Sequence, residues 1–575
     1  MVPAANDSAE MEENMDTKTK KGILDSPMFN SRIGSANATN SERWLGYFFG
    51  PCLLYMCYYG IAGTYLTQFY TDVLHITGIF LVWMPVASKI IDAITNIVMG
   101  RIIDRTHTAQ GKARPWVLLS GFLIAVTGIL LYAVPNASDT VQIVWVIISY
   151  NLFFSFAFTI YNMSHTLMVP LSTRNTKQRD TLALLTSTGT TMIPGMLVTI
   201  VMPLLIRSFG VGDDARGTWL KMMSVLSILA IPAVLLEYYF TKERVTEDEM
   251  SVQHEDAEKK VSFGEQMRAC VQDPYWMIVM GFWIVYQIMN GLSTNSMLYY
   301  CNWVLGNSVD SGATNQVLVN MIGQAPLGIG VVVLWPLVRK FGKRRVMMYG
   351  FGIGAIGSLI VLLAGSNLGG VLGGLMVKSI GMIPTYVLSA QLAEALDHIE
   401  WKNKFRADGF SASVYSIIIT VGGGISQSIL LAGINGLGYI APSSSSQVIE
   451  QPNAVRIFFA ICFVGVTMVG YLIGSLLMIR FDVEDKIPQI SADLVARRKA
   501  EAEARGEVYL SQEEKAALEQ AEQDRISEEK RIEELRAMCA KKGLSFEEEE
   551  AKYQAKLAEK KAKEEAKAAK KKKQK

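Results

Sequence analysis

Polar residues within the second long apolar stretch of the chain have the types and spacing needed to bind a cation. Lys89, Asp92 and Asn96 lie at positions i, i+3 and i+7, which places them on one helical face with Thr95 beside them. Two interpretations are open. Asp92 can neutralise Lys89 in an ion pair that fixes helix packing, or Asp92, alone or with Asn96, can bind a proton or Na⁺. We favour the second, since an unneeded charge inside a membrane span is costly.

A polar stripe follows in the fourth apolar stretch. Ser155, Thr159, Asn162 and Thr166 recur at spacings of four, three and four, so they share one face of an otherwise apolar helix. Such a stripe lines a cavity or forms hydrogen bonds to neighbouring helices, and we favour a cavity. His165 lies off the stripe, and we interpret it as a packing residue.

Aromatic, amide and hydroxyl side chains, and one lysine, recur elsewhere in the apolar stretches. They suit a sugar, because a sugar ring stacks on aromatic faces while its hydroxyl groups form hydrogen bonds. These candidate substrate-binding residues are Tyr55, Tyr59, Tyr286, Asn290, Lys378 and Thr420.

Twelve apolar segments position these residues. Half of the 575 residues are apolar, and each segment has roughly the 20 residues that a helix needs to cross a bilayer. The segments cover about 44–70, 76–100, 115–134, 140–167, 181–207, 218–240, 273–304, 313–338, 345–365, 369–394, 409–437 and 455–481. The pattern predicts an all-α membrane protein embedded in the lipid bilayer.

Charges in the loops predict the orientation. Lys and Arg gather after the second, fourth, sixth, eighth and tenth segments and are almost absent after the first, third, seventh, ninth and eleventh. Positive charge collects on the cytoplasmic side, so we expect both termini in the cytoplasm and the protein in the plasma membrane. The loop after the fifth segment departs from this pattern, because it carries Arg207, Arg216 and Lys221.

The chain divides into five parts by composition. We predict a disordered N-terminus (1–42), a six-helix half (43–240), a polar cytoplasmic connector (241–270), a second six-helix half (271–482) and a charged helical tail (483–575). Two six-helix halves with a cytoplasmic connector are typical of the major facilitator fold. The Lys-rich end of the tail can contact anionic lipid, or the tail is a solvated helix without a specific role.

The two halves share a basic loop after their second span, reading GKARP at 111–115 and GKRR at 342–345. In the first loop Asp104, Arg105, Lys112 and Arg114 are candidate gating residues, and Gly111 allows a tight turn. Their charges can pair with acidic groups or helix C-termini and separate when the halves move. Equally, they can serve only to set the topology.

Several classes of protein are disfavoured. The chain lacks nucleotide-binding loops and the HExxH and GxSxG motifs, so we expect neither an enzyme nor ATP-driven chemistry, and no cofactor besides a coupling ion. The net charge of +2 disfavours a nucleic-acid partner. The six cysteines show no metal-ligand spacing, and we expect no metal site beyond Na⁺ at Asp92. We expect a monomer.

Four motifs resemble the glycoside–pentoside–hexuronide:cation symporters of the major facilitator superfamily, whose type member is melibiose permease. They read FYTDV at 69–73, DAITNIVMG at 92–100, DRTHTAQGKARPW at 104–116 and ALDHIEWK at 395–402. The resemblance covers roughly residues 44–481. It implies cation-coupled transport of a small sugar, glycoside or hexuronide.

The resemblance also implies roles for single residues. Asp92 matches the first carboxylate of the sodium-binding pair, Asn96 stands in place of the second, and Thr159 matches the cation-binding Thr of helix four. Because one carboxylate is missing, the expected ion moves from Na⁺ towards H⁺.

The sugar-recognising positions differ more. Asn162 aligns with a carboxylate, Ser187 lies near the helix-five Arg, and Thr420 lies near the helix-eleven Lys, while Lys89 replaces an Arg. Three alternatives therefore stay open. They are an uncoupled or anion carrier that uses Lys89 and Lys378, a lysolipid-like carrier, and a transporter-like membrane sensor or scaffold.

Overall fold

The computed structural model describes residues 26–35, 37–76, 79–108, 110–173, 175–209, 215–245, 261–323, 325–444, 446–505, 512–555 and 558–559. Almost all of them are helical, and no strand occurs among them. The all-α prediction is therefore confirmed. Residues 1–25 of the predicted disordered N-terminus, residues 246–260 of the predicted connector and the Lys-rich end lie outside the described residues.

Eleven helices among the described residues are long and apolar enough to cross a membrane. We number them as spans one to seven and nine to twelve, in keeping with the predicted segments. Their bounds are Glu42–Val73, Ile79–Asp104, Arg114–Tyr132, Asp139–Ser172, Thr176–Arg207, Ala215–Tyr239, Pro274–Trp303, Lys343–Ala364, Leu368–Asn403, Asp408–Gly436 and Asn453–Ile479.

The predicted eighth span, 313–338, differs from the other eleven. The structure has two shorter helices there, Val309–Met321 and Ala325–Phe341, separated by residues 322–324. Pro326 follows directly, and a proline lacks the N–H that would continue the first helix's hydrogen-bond ladder. Twelve predicted spans therefore correspond to eleven long helices and one pair of short ones.

Two spans contain irregular turns close to the candidate site residues. Span one is interrupted at Ala62 and Gly63, and Gly63 has φ +69°, which favours glycine. Span four has a widened π-helical stretch from Leu152 to Phe158. Wide turns of this kind often occur at functional sites, and this one carries Ser155.

Small residues allow the spans to pack closely. A Cβ atom on Gly50 of span one would lie 2.8 Å from the backbone nitrogen of Glu237 in span six. In the second half, a Cβ atom on Gly381 of span ten would lie 2.2 Å from the Cα atom of Gly354 in span nine. Small residues at helix crossings are typical of membrane proteins, where close van der Waals contact drives association.

The segment before span one packs against the end of span six. The backbone N–H of Arg32 donates to the carbonyl of Tyr239 at 2.9 Å, and Ser31 Oγ donates to the carbonyl of Thr241 at 2.7 Å. These residues lie within the region predicted to be disordered, but their polar groups have partners in span six and the residues that follow it.

Two tail helices, Val483–Arg505 and Gln512–Lys542, contact different halves of the protein. Arg498 of the first helix lies 2.6 Å from Glu400 of span ten. Asp524 of the second lies 2.8 Å from Lys177 of span five. Hydrogen bonds from Lys177 and Asn175 hold the pKa of Asp524 below its usual range, so this contact is present at neutral pH.

Candidate functional site

Asp92 lies between two polar partners in the first half of the protein. The ammonium of Lys89 is 2.8 Å from Asp92 Oδ2, and the hydroxyl of Ser155 in span four donates to Oδ1. Asp92 is 8% exposed and Ser155 is 1% exposed. A carboxylate that is buried in this way is stable only with such partners, because desolvation would otherwise be costly.

The other predicted cation ligands are not gathered around Asp92. Thr95 is half-buried and Asn96 is exposed. Thr159 Oγ1 donates to the carbonyl of Phe154 in its own helix at 3.2 Å. Among the described residues, the hydrogen-bond partners of Asp92 are Lys89 and Ser155.

A cationic side chain already lies beside the carboxylate of Asp92. The Lys89 ammonium already occupies the place beside Oδ2 where a second cation would bind. No group of three His, Cys, Asp or Glu residues that could hold a metal ion occurs within the described ranges. Na⁺ or a proton at Asp92 would each have to compete with this ammonium.

The Lys89–Asp92 pair lies where the two halves of the protein meet. A Cβ atom on Gly424 of span eleven would be 3.2 Å from Lys89 Cγ and 3.2 Å from the carbonyl oxygen of Pro85. Any change in how spans two and eleven pack would therefore change the surroundings of Lys89.

Four substrate candidates come together in spans one and four. The hydroxyl of Tyr55 donates to Asn162 Oδ1 at 3.0 Å, and the rings of Tyr55 and Tyr59 have centroids 5.9 Å apart. Asn162 and Thr166 are exposed, although both belong to the polar stripe of a membrane span. Polar groups exposed at this depth are expected to face a water-filled cavity.

Candidates in other spans are more scattered. Lys378 Nζ donates to Ser293 Oγ at 3.0 Å, and it lies 5.1 Å from the ring centroid of Phe463. Tyr286 packs edge-on against a neighbouring tryptophan in span seven. The remaining candidates form no side-chain hydrogen bond within the described residues; these are Asn290 and Thr420, half-buried, and Ser187, exposed.

The predicted gating loop makes its contacts within the first half. Gly111 has φ +103°, and the carboxylate of Glu243 lies where a Cβ atom would project. Glu243 accepts hydrogen bonds from the backbone N–H groups of Lys112, at 2.9 Å, and Arg114, at 2.8 Å. This turn therefore requires glycine, as predicted, because any side chain would displace the carboxylate.

The charged side chains of this loop have different surroundings. Arg114 is buried and donates to the C-terminal carbonyl of Tyr238 in span six at 2.9 Å. Asp104 and Arg105 are exposed, and Asp104 lies 3.9 Å from Lys112 Nζ. The predicted pairing of a basic loop residue with a helix C-terminus thus occurs at Arg114.

Hydrogen bonds between the two halves gather at the opposite end of the spans. Tyr439 OH donates to the buried carboxylate of Asp72 at 3.1 Å, and the hydroxyls of Thr71 and Tyr299 lie 3.1 Å apart. A third bond of 3.2 Å runs from Gln427 to the hydroxyl of Thr67. These contacts close that end. The motif FYTDV contains Asp72, but nothing in the sequence showed its partner.

Sequence reasoning also missed a buried pair in the first half. His165 Nδ1 lies 2.6 Å from Glu237 Oε1. Glu237 is two residues from the end of span six, where a charge usually reaches solvent, and the glutamate alone therefore carried no signal.

Sequence comparison finds a matching protein family and several named relatives. The family described as MFS/sugar transport protein matches residues 46–485 of the chain. The isoprimeverose transporter of Lactiplantibacillus pentosus is 26% identical over 443 residues, which are 76% of this chain and 88% of that protein. The inner membrane symporter YicJ of Escherichia coli (strain K12) is 25% identical over 451 residues, 76% of this chain and 90% of that protein.

One solved structure shows the fold. The crystal structure of a bacterial homolog of the human lysosomal transporter Spinster has a TM-score of 0.53 at 11% identity, and the match covers 76% of this chain and 96% of that one. At this identity the likeness concerns the arrangement of helices alone.

Proposed function

The chain belongs to the MFS/sugar transport protein family, and from this premise we propose that it is a cation-coupled symporter of a sugar or glycoside in the plasma membrane. Family membership confirms the predicted resemblance to the cation symporters. It also makes the chain a multi-pass membrane transporter and not an enzyme, as expected. The proposal goes beyond family membership in three respects: the class of solute, the coupling to a cation, and the location in the plasma membrane.

The observation that carries the coupling is the position of Asp92. Its carboxylate is held by Lys89 and Ser155, and Lys89 packs against span eleven of the other half. A proton on Asp92 would release the ammonium, and the released ammonium would alter the contact between the halves. Cation binding and solute binding then influence each other, as thermodynamic linkage requires.

Hydrogen bonds between the two halves close one end of the molecule, and this closure supports a mechanism of alternating access. The bonds of Asp72 and Thr71 to span seven and the residues after span eleven hold one end shut, on the side opposite the basic loops. Because positive loops are expected in the cytoplasm, the closed end in this proposal faces the outside of the cell and both termini lie inside it.

The side chains of the cavity and the name of one relative both support a sugar as the solute. Tyr55, Tyr59 and Asn162 offer aromatic faces and an amide, which suit a sugar. A relative is named an isoprimeverose transporter. The chain works as a monomer in this proposal, and its Lys-rich end contacts anionic lipid.

Reconstitution tests the proposal. Purified protein in vesicles should accumulate isoprimeverose or another glycoside when an inward proton gradient is imposed, and a protonophore should abolish the accumulation. An inward Na⁺ gradient at equal pH is the matched condition, and we expect it to drive less uptake. Glycosides that only equilibrate under either gradient would contradict coupling, and no movement of any glycoside would contradict the solute class.

A second function is favoured by Lys378. Its ammonium is half-buried, and its hydrogen-bond partners among the described residues are a hydroxyl and a backbone carbonyl, not a carboxylate. An organic anion such as a hexuronide would supply the missing charge. Uptake of glucuronate that resists protonophore and needs no Na⁺, and that is lost in Lys378→Gln, would support this uncoupled carrier instead.

A further inference from the structure

A histidine and a glutamate form a buried pair in the first half of the protein. His165 of span four and Glu237 of span six meet through Nδ1 and Oε1 at 2.6 Å, and their side chains are 5% and 2% exposed. Tyr161 OH donates to the other carboxylate oxygen, Oε2, at 2.7 Å, and its ring stacks on the imidazole. Both oxygens of Glu237 therefore have donors.

One atom of the pair is left without a partner. The second imidazole nitrogen, Nε2 of His165, is buried and forms no hydrogen bond within the described part of the chain. With Glu237 ionised, Nδ1 must carry the hydrogen that the carboxylate accepts. Nε2 is then a lone-pair acceptor in a buried position, where an unsatisfied polar atom is costly.

No lysine or arginine of the described residues pairs with Glu237. The titratable groups near the pair are Tyr161 in span four and Tyr47 and Tyr55 in span one. Two basic groups of this region, Arg244 and Arg114, are already engaged. Arg244 is paired with Glu42 at 2.7 Å, and Arg114 donates to Gln110 and to the carbonyl of Tyr238. The charge of the pair is therefore set by whether His165 holds one proton or two.

Polar residues of span four lie between the Asp92 contact and the pair, although His165 itself lies off their face. Along span four, Ser155 contacts Asp92, and Thr159, Asn162 and His165 follow at spacings of four, three and three. Ten residues of helix cover about 15 Å. The ring of Tyr55, whose hydroxyl is bonded to Asn162, lies 6.1 Å from the imidazole of His165.

We propose that the His165–Glu237 pair is a second proton-binding site, through which a proton from Asp92 leaves towards the end with the basic loops. The proton binds Nε2 of His165 and converts an imidazole–carboxylate pair of net charge −1 into a neutral imidazolium–carboxylate pair. Loss of the same proton from Nε2 restores the first state, so no bond other than N–H changes. This inference rests on the proton coupling proposed above.

Transport of isoprimeverose in proteoliposomes tests the role of the pair. Under an inward proton gradient, His165→Gln and Glu237→Gln should accumulate at least tenfold less solute than the parent chain, while exchange at equal pH persists. Glutamine at 165 keeps hydrogen-bonding groups but cannot bind the proton, and glutamine at 237 leaves an imidazolium without its carboxylate. The matched control is His398→Gln, which removes a histidine that lies 2.5 Å from Asp273 in the other half, and it should accumulate like the parent.

Accumulation by both variants at the parent level would overturn the proposal. Variants that lose both exchange and accumulation would indicate a structural role for the pair and would also overturn the proposal.

If the parent shows no proton-driven uptake, the proposed coupling fails, and a second measurement still tests whether the pair binds a proton. Nitrogen NMR of labelled histidine should show one of the five imidazoles, absent in His165→Gln, that gains a proton on Nε2 as pH falls. An imidazole of His165 that keeps one protonation state while the protein stays folded would overturn the proton site.

Discussion

Glu243 and Glu484 occupy equivalent positions in the two halves of the molecule. Glu243 follows span six and accepts hydrogen bonds from the backbone at the N-terminus of span three. Glu484 follows span twelve and accepts hydrogen bonds from the backbone N–H groups of Lys343, at 2.8 Å, and Arg344, at 2.9 Å, in span nine. Each carboxylate lies over a glycine with positive φ, Gly111 and Gly342. A carboxylate at a helix N-terminus satisfies free N–H groups and the helix dipole.

Replacing these carboxylates should destabilise the protein. Glu243→Gln and Glu484→Gln each exchange charge-assisted hydrogen bonds for weaker ones, and we expect a loss of about 1–3 kcal/mol per variant. Thermal unfolding of the purified protein measures the loss. Glu501→Gln, which alters an exposed residue 3.8 Å from Arg497, is the control and should unfold like the parent. Equal stability of all three variants would contradict the capping role.

Ser155→Ala should weaken coupling by removing the donor to Asp92 Oδ1. A hydrogen bond to a charged group contributes about 1.5–3 kcal/mol, so the half-saturating proton concentration for uptake should change about tenfold or more. Ser155→Thr keeps the hydroxyl and should preserve the parent value. Ser164→Ala, whose hydroxyl bonds only to its own helix, is the control for the loss of an oxygen atom in span four. An unchanged proton dependence in Ser155→Ala would refute the assignment.

Asp92→Asn should separate uphill from downhill transport. The amide has nearly the shape of the carboxylate but cannot carry a proton, and Lys89 then has no charged partner. We expect accumulation against a gradient to be lost, while exchange of labelled for unlabelled solute across the membrane continues. Uphill uptake at the parent rate would eliminate Asp92 as the coupling residue.

Tyr439→Phe should favour opening of the end that is closed here. The substitution removes the donor to Asp72, a buried carboxylate whose second oxygen has no partner in the described residues, at a cost to the closed state of about 1.5–3 kcal/mol. A Thr67→Cys probe in a chain without its native cysteines should then react about tenfold faster with an impermeant maleimide. Tyr300→Phe, which removes a hydroxyl bonded within the second half, is the control. Equal reaction rates would show that the Asp72 contact does not hold this end shut.

The helical framework was largely predictable, because apolar length and loop charge are local properties of the sequence. Eleven spans lie where hydropathy placed them. The eighth does not form one long helix, since proline and glycine near residue 324 interrupt the hydrogen-bond ladder. The need for glycine at 111 was also predictable, because a turn between two charged helix ends requires it. The structural reason for this glycine could not be predicted, because the carboxylate that excludes a side chain belongs to Glu243, more than 100 residues away in the sequence.

The candidate site was predictable only where partners share a helix. Lys89 and Asp92 are three residues apart, and helical periodicity alone brings them together. Their third partner, Ser155, lies on another span, as does Glu237 relative to His165. Contacts of this kind depend on which faces pack together, and one sequence contains no signal for that. For the same reason His165, interpreted as a packing residue, emerged as half of a buried pair with Glu237.

The point at which the tail is shortened should decide whether the protein remains stable. A chain that ends at Arg505 keeps Glu484 over span nine and keeps Val483, Ile490 and Leu494 buried against the second half. We expect it to unfold at the parent temperature. It loses the Lys177–Asp524 contact, an exposed pair worth at most about 1 kcal/mol, so uptake should equal that of the parent or rise up to about fivefold as the halves move more freely.

A chain that ends at Asp482 is the matched comparison. It loses Glu484 and the three buried apolar side chains as well, and its stability should fall by several times the loss seen in Glu484→Gln alone, since burying each large apolar side chain contributes about 1.5–3 kcal/mol. Thermal unfolding and vesicle uptake measured on both chains give the answer. If the two shortened chains are equally stable, the first tail helix is not part of the second half's core. If both are as stable as the parent but neither transports, the segment beyond residue 505 has a direct role in movement, because it is the only part that both lack.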